Sequence, residues 1–190
     1  MLNMKDYSRS GHVTRWHSVR VARPQTLSDH HYMVTIIAKE MADLIYKDGV
    51  SPKDKLALLE YCLVHDAPEL LMGDIPTPVK RRIEALTKDS GNPLITIEDS
   101  ICEKFVTAKK RVSGTPLAYI CKLADLADAI NFISVEGIGS HAKLVEKKLH
   151  KLFIAKISEA EQAFPELSWN RAFGVLNELL DGEDSQLAFE

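Results

Sequence analysis

Apolar residues recur every three or four positions along most of this chain, and Gly, Pro and N-capping residues separate the runs. Met33, Val34, Ile37, Met41, Leu44 and Ile45 form one stripe, predicting a helix from an N-cap at Ser28 to about Lys47, closed by Asp48-Gly49. Ser51-Pro52 opens a second helix with Leu56, Leu58, Leu59, Cys62 and Leu63 as its apolar positions. It runs into the segment Val64 to Lys80. Residues 81–93 are polar and end in a Ser90-Gly91-Asn92-Pro93 loop. Residues 94–110 fit one helix with Leu94, Ile97, Ile101 and Phe105 inward. Ser113-Gly114-Thr115-Pro116 breaks the chain and caps a helix from Pro116 to about Val135. After a turn at Gly137-Ile138-Gly139-Ser140, residues 141–163 are amphipathic, with Leu144, Leu149, Leu152, Ile154 and Ile157 on one face. Pro165 ends that run, and a last helix covers 168–180 with Trp169, Phe173, Val175, Leu176 and Leu179. No strand-like alternation or repeat interrupts the series. The expectation is an all-α single domain of six or seven helices: an irregular N-terminal segment (1–27), a helical core (28–180) and a loose acidic tail (181–190).

Composition narrows the class. With 190 residues and 45% hydrophobic residues, the chain can bury one real core. A net charge of −3 gives no electrostatic case for a nucleic-acid polymer or an acidic membrane. No apolar run approaches the roughly 20 residues that span a bilayer, and the N-terminus, with Lys5, Arg9 and His12, is not a secretory signal. Cys62, Cys102 and Cys121 lie far apart in apolar stretches and read as reduced core residues. A cytoplasmic protein is expected.

One stretch carries the chemistry: Val64-His65-Asp66-Ala67-Pro68-Glu69-Leu70-Leu71-Met72-Gly73-Asp74-Ile75-Pro76-Thr77-Pro78-Val79-Lys80. The helix before it should place His65 and Asp66 near a buried helix end, where unpaired charge is costly without a metal or counter-ion. His65 and Glu69 are four apart and Asp66 and Glu69 three apart, so a helix would turn all three to one side. Pro68 cannot donate to the Val64 carbonyl and predicts a kink or early end. Gly73 is a C-terminal stop, after which the Pro-rich exit runs extended. Elsewhere, counting back by four from Val34 puts His30 on a buried face, with His31 at its edge. Asp125 and Asp128 stand one turn apart among apolar neighbours, and a helical wheel leaves both open. Arg15-Trp16 is either a packing anchor or a phosphate clamp beside a flat apolar wall.

At His65-Asp66-x-x-Glu69 followed by Gly73-Asp74-x-Pro76-Thr77-Pro78-Val79-Lys80, the chain resembles the HD-domain phosphohydrolases, in particular the bacterial and phage 5'-deoxynucleotidases and the related phage dATP triphosphohydrolases. The resemblance covers about residues 14–135 and implies a compact HD-domain helical bundle. It selects His30, which follows Ser28-Asp29, and, through a Lys-x-Ala-Asp pattern that includes Lys122, it selects Asp125. His30, His65, Asp66 and Asp125 are thereby expected to hold one divalent metal: manganese, cobalt, zinc or iron, with magnesium less natural beside histidines.

The resemblance further implies catalytic roles for Glu69, Asp66 and Arg15: Glu69 orienting a water, Arg15 orienting phosphate. Trp16, Asp74, Ile75, Pro76, Thr77, Pro78, Lys80 and Lys122 complete the expected substrate contacts. The leading reading is hydrolysis of deoxynucleoside 5'-monophosphates to deoxynucleoside and phosphate. The alternatives are removal of triphosphate from a deoxynucleoside triphosphate such as dATP, for which extra cations at Lys80, Arg81, Arg82 and Lys122 would suit, and a nucleotide-binding regulatory module without turnover. A run of three bases ordinarily marks a solvated helix face. Self-association as a dimer or larger is expected, with the 141–163 helix as a candidate surface.

Overall fold

Thr115-Pro116 starts the helix on which the rest is built. The Thr115 hydroxyl accepts from the Leu117 amide, and Pro116 occupies a first-turn position that needs no donor. The chain described by the computed structural model, residues 2–182, places this helix at the centre. In order the elements are α1 (Met4–Tyr7), α2 (Leu27–Ile45), α3 (Pro52–Cys62), α4 (Glu69–Met72), α5 (Thr77–Leu86), α6 (Pro93–Ile101), α7 (Glu103–Val112), α8 (Pro116–Glu136), α9 (Gly139–Ala163) and α10 (Ala172–Asp181). Turns of 3-10 helix occur at Ser10–His12 and Trp169–Arg171. α8 is apolar nearly all round and packs against α2 and α9 on its flanks, with α3, α7 and α10 adding further contacts. Ile120, Leu123, Ile130, Met41, Leu58, Phe153 and Trp169 are buried in the shared core.

The all-α class holds, but the described residues contain ten α-helices rather than six or seven. The supposedly irregular N-terminus includes α1, closed by a capping box between Asn3 and Asp6. The Pro-rich exit was expected to run extended and no helix was read in the polar residues 81–93, yet Thr77–Leu86 is helical. None of its residues is buried, so it carries little of the burial signal by which helices are read from sequence. The expected 94–110 helix is two helices broken at Cys102, whose backbone is extended (φ −134°) and whose thiol caps α7 by accepting from the Phe105 amide. Ile97 is consequently exposed rather than inward. The N-cap of α2 is Thr26, not Ser28: Thr26 and Asp29 exchange side-chain and backbone bonds in a capping box, an arrangement worth about 1 kcal/mol. Gly139 and Ser140 belong to α9, and Leu144 and Ile154 face solvent, while Ala142, Phe153, Ile157 and Ala160 are its buried face. Leu44, Leu56 and Leu63 are likewise exposed. Asp181 still lies in α10; the acidic tail beyond 182 is outside the described residues.

The segment before α2 is pinned as a strap. The Arg15 amide donates to the Gln25 carbonyl (2.9 Å) and the Leu27 amide to Val13 (2.8 Å). The Ala22 amide donates to the Glu136 carbonyl and the Ile138 amide to Arg20, fastening the strap to the α8–α9 corner. Arg15 and Trp16 are thus held beside the start of α2 and the body of α8.

Candidate metal and substrate site

α3 ends earlier than the apolar spacing suggests, and the site depends on that end. Continuing the α-helix would leave the Val64 carbonyl facing Pro68, which has no N–H. The chain tightens instead: Val64 donates to Tyr61, Ala67 to Val64 and Glu69 to Asp66, each three residues back. His65 and Asp66 therefore sit in a turn beyond Cys62, not on a helix end. The Cys62 carbonyl is released at the helix terminus and accepts from His65 Nδ1 at 2.7 Å. A second short helix, α4, then starts at Glu69 and stops at Gly73, whose φ of +72° suits glycine.

His30 enters from the first turn of α2, fully buried. Its Nδ1 donates to Asp128 Oδ2 at 2.6 Å. Both imidazoles thus spend Nδ1–H on an acceptor and turn Nε2 inward, where the two Nε2 atoms stand 3.2 Å apart. Asp66 Oδ2 lies 3.5 Å from each of them, and Asp125 Oδ1, from α8, lies 3.5 Å from His30 Nε2. Two donors bound to one ion at about 2.1 Å lie roughly 3 Å apart at right angles and about 4.2 Å apart when opposite. The observed spacings fall in that range, and donor atoms of His30, His65 and Asp125 all lie within 4.8 Å of one another.

Opposed nitrogen lone pairs this close need a cation or a shared proton between them. His30 is raised above its ordinary pKa despite burial and Arg15, through its bonds to Asp128 and Asp66, whereas burial lowers His65. Burial would raise Asp66, but His65, His30 and Arg15 outweigh it and hold the carboxyl well below its usual range. Burial is likewise outweighed at Asp125, chiefly by Lys122 and then by His30 and Arg15. Two neutral-capable imidazoles and two ionised carboxylates at these distances suit a divalent first-row metal.

Glu69 behaves in the opposite way. It is buried, and that burial together with the Asp66 charge raises its pKa to about 8, against the pull of Lys80. Its Oε1 accepts from Lys80 Nζ at 2.9 Å, while Oε2 is buried without a hydrogen-bond partner among the described residues. An unpaired acceptor beside a donor set that could hold a metal is a place to hold the proton of a water.

Arg15 is largely enclosed, with its guanidinium 3.8 Å from Asp125 and 3.9 Å from Asp128. Trp16 stacks on Phe132 (centroids 6.0 Å, 9° between planes) and adopts φ +69°, a conformation costing a bulky residue about 1–3 kcal/mol. The expected residues are not all drawn together. Lys80 is engaged with Glu69 and Lys122 with Asp125, both through direct ion pairs. Asp74 is half-buried and near enough to raise Glu69, whereas Ile75 and Pro76 form the short link to α5 and Thr77 and Pro78 begin it in an exposed position. Arg81 and Arg82 are exposed. His31, expected at the edge of its stripe, is buried, with Nε2 unpartnered among the described residues.

Two residues at this site escaped the sequence reading. Asp128 was open as a buried acid, one turn from Asp125, but nothing marked it as the partner of His30. Gln25 carried no signal at all, standing outside any apolar stripe, yet it is buried and bonded to both Trp16 and Asp128.

A protein-family model described as "5'-deoxynucleotidase YfbR-like" matches residues 4–108, more than half of the chain. The protein belongs to that family. The chain is also 30% identical over 192 residues to a dATP triphosphohydrolase of Acinetobacter phage SH-Ab 15497, covering 95% of this chain and 92% of that protein. A 5'-deoxynucleotidase of Cronobacter sakazakii is 37% identical over 76 residues, 38% of this chain and 37% of the other. Among solved structures, the Cyanophage S-2L HD phosphohydrolase DatZ, bound to dA and one catalytic Zn2+ ion, superposes with a TM-score of 0.75 over 94% of this chain and 98% of that one, at 22% identity. That likeness supports the HD-type helical fold, which is the fold described above.

Proposed function

We propose that this member of the YfbR-like family is a metal-dependent phosphohydrolase that cleaves the 5'-phosphate ester of 2'-deoxynucleotides, with deoxynucleoside monophosphates as substrates. The observation that carries the reading is the pairing of a His30–His65–Asp125 donor cluster, with Asp66 Oδ2 3.5 Å from both imidazoles, and a buried glutamate whose second oxygen has no partner among the described residues. His30, His65, Asp66 and Asp125 would hold the metal. When bound, the metal supplies an activated water and polarises a phosphoryl oxygen.

The rest falls to this chain. Glu69 Oε2 holds and accepts a proton of the attacking water, and Lys80 fixes the carboxylate through Oε1. Arg15, already steered by Asp125 and Asp128, presents its guanidinium to the phosphate oxygens. Trp16, backed by Phe132, offers a flat wall to the sugar or base. Asp74 is a sugar-hydroxyl acceptor, and Pro76 and Pro78 stiffen the link that carries Ile75 and Thr77 past the nucleotide. Lys122 steadies Asp125.

A second reading has its own support. Loss of triphosphate from dATP breaks the same ester bond, and the relative similar over nearly the whole chain is named for that activity, whereas the nucleotidase relative is similar over little more than a third. A deoxynucleotide is the proposed partner, with no nucleic-acid polymer. No helix among the described residues is long and apolar enough to cross a membrane. A cytoplasmic location and self-association, with exposed Leu144 and Ile154 on α9 as a candidate surface, complete the proposal.

Product analysis on metal-loaded protein tests it. Orthophosphate from several deoxynucleoside monophosphates supports the first reading. Inorganic triphosphate from dATP, with monophosphates untouched, replaces it with the second. Nucleotide binding without either product would leave a regulatory binding module.

A further inference from the structure

The Gln25 amide has both ends fixed by chemistry. An indole N–H can only donate, so the atom accepting from Trp16 Nε1 at 2.8 Å is Oε1, which also lies 3.5 Å from Arg15 Nη1. That leaves Nε2 to donate to Asp128 Oδ2 at 2.8 Å. The same Asp128 oxygen accepts from His30 Nδ1 at 2.6 Å, and His30 Nε2 faces the donor cluster. A continuous chain of oriented bonds therefore runs from Trp16 through Gln25 and Asp128 to His30. Its members come from the strap, α8 and α2, and Gln25 and Asp128 are only 3% and 2% exposed. The strap's backbone keeps this register, since the Arg15 amide donates to the Gln25 carbonyl itself. Trp16 holds a left-handed backbone whose strain is offset by this anchoring and by Phe132.

We propose that Gln25 is a positioning residue that ties the Arg15–Trp16 substrate face to the metal ligand His30, with Asp128 as the link. This rests on the metal-site reading above. Without the Gln25 donor, Asp128 is free to turn and the His30 ring loses its fixed aim. Without the Gln25 acceptor, the half-buried Trp16 indole N–H loses that partner, and the wall it forms shifts. One side chain thus sets two properties that a packing role would not connect: the affinity for metal and the affinity for nucleotide.

The test uses purified full-length protein and zinc alone as the first probe, read by competition with a chromogenic chelator. Gln25→Met removes both bonding ends at similar size; Gln25→Asn keeps an amide but falls one methylene short of spanning Trp16 and Asp128, and its smaller side chain leaves room for water. Phe153→Leu, in the core beside Phe173, is the control for general loosening. Zinc affinity should fall about tenfold in each Gln25 variant, at the low end for partners behind a metal ligand. It should stay at the wild-type value in Phe153→Leu, even where the metal-free melting temperatures match. With zinc saturating, KM should rise severalfold in the Gln25 variants while kcat changes less. Zinc affinity within twofold of wild type in whichever Gln25 variant folds overturns the proposal, as does an equal loss in Phe153→Leu. The zinc arm needs no turnover, so failure of the deoxynucleotide reading would appear separately, as a wild-type protein that binds zinc and hydrolyses nothing.

Discussion

Two neighbouring regions of the molecule are built on opposite terms. At and around the donor cluster five side chains are held from behind: His30 by Asp128, His65 by the Cys62 carbonyl, Asp125 by Lys122, and Arg15 and Trp16 by Gln25. In the exit from Gly73 to Arg82 the side chains are half-buried or exposed, and Lys80 reaches back to Glu69. Holding donors in advance spares the ordering cost at the moment of binding. Under the proposed function, the first region would serve the step common to the candidate substrates. The second, open and lightly tied, would under the same proposal accommodate differences in phosphate length and sugar contact.

Breaking the held region should have the largest effects. Asp66→Ala removes a ligand that lies 3.5 Å from both imidazoles, and hydrolysis should fall to background with loss of bound metal, measured together by product release and metal content. Glu69→Gln keeps the donor set and removes only the proton acceptor; kcat should fall by about 10²–10⁴-fold with metal retained. Asp128→Asn disturbs His30 from one bond away and should weaken metal binding by about 10–100-fold, visible in chelator competition.

The raised pKa of Glu69 adds a stability test with a definite sign. Its folded pKa of about 8 lies above the ordinary 4.5, so the folded metal-free state holds a proton that the unfolded state releases. The stability attached to that proton is complete below about pH 4.5 and is lost as pH rises through about 8. Glu69→Gln escapes this loss. In chelator, its melting temperature should exceed that of wild type, by more at pH 8 than at pH 5.5. An equal difference at the two pH values would mean that Glu69 is not burdened by burial.

In the exit, the smallest effect sharpens the contrast. Replacing exposed Arg81 and Arg82 together by Ala should leave hydrolysis of monophosphates within about twofold, as expected of solvated surface residues. A selective rise in KM for dATP would instead assign them to a triphosphate tail.

The sequence made the held region only half legible. His30 could be placed by its spacing from Val34, and His65, Asp66 and Glu69 by a motif, because buried polar groups at fixed intervals stand out against an apolar stripe. Gln25 could not be, since its role arises from pairing between residues 13–15 and 25–27 that no periodicity records. The end of α3 at Cys62 was hidden for a related reason. Pro68 announced a break, but the break falls six residues earlier, where tightening turns accommodate the missing amide. Helix α5 was missed because it buries nothing, and the joint at Cys102 because a thiol is an uncommon N-cap.

The proposed role of Glu69 is tested by comparing wild type with Glu69→Gln, both loaded with zinc, measuring bound zinc and the release of deoxynucleoside from deoxynucleoside monophosphates and dATP in the same samples. Equal zinc is expected in the two proteins, with deoxynucleoside released by the wild type and almost none by the variant. Wild-type rates in Glu69→Gln, or dADP in place of deoxynucleoside, would contradict it.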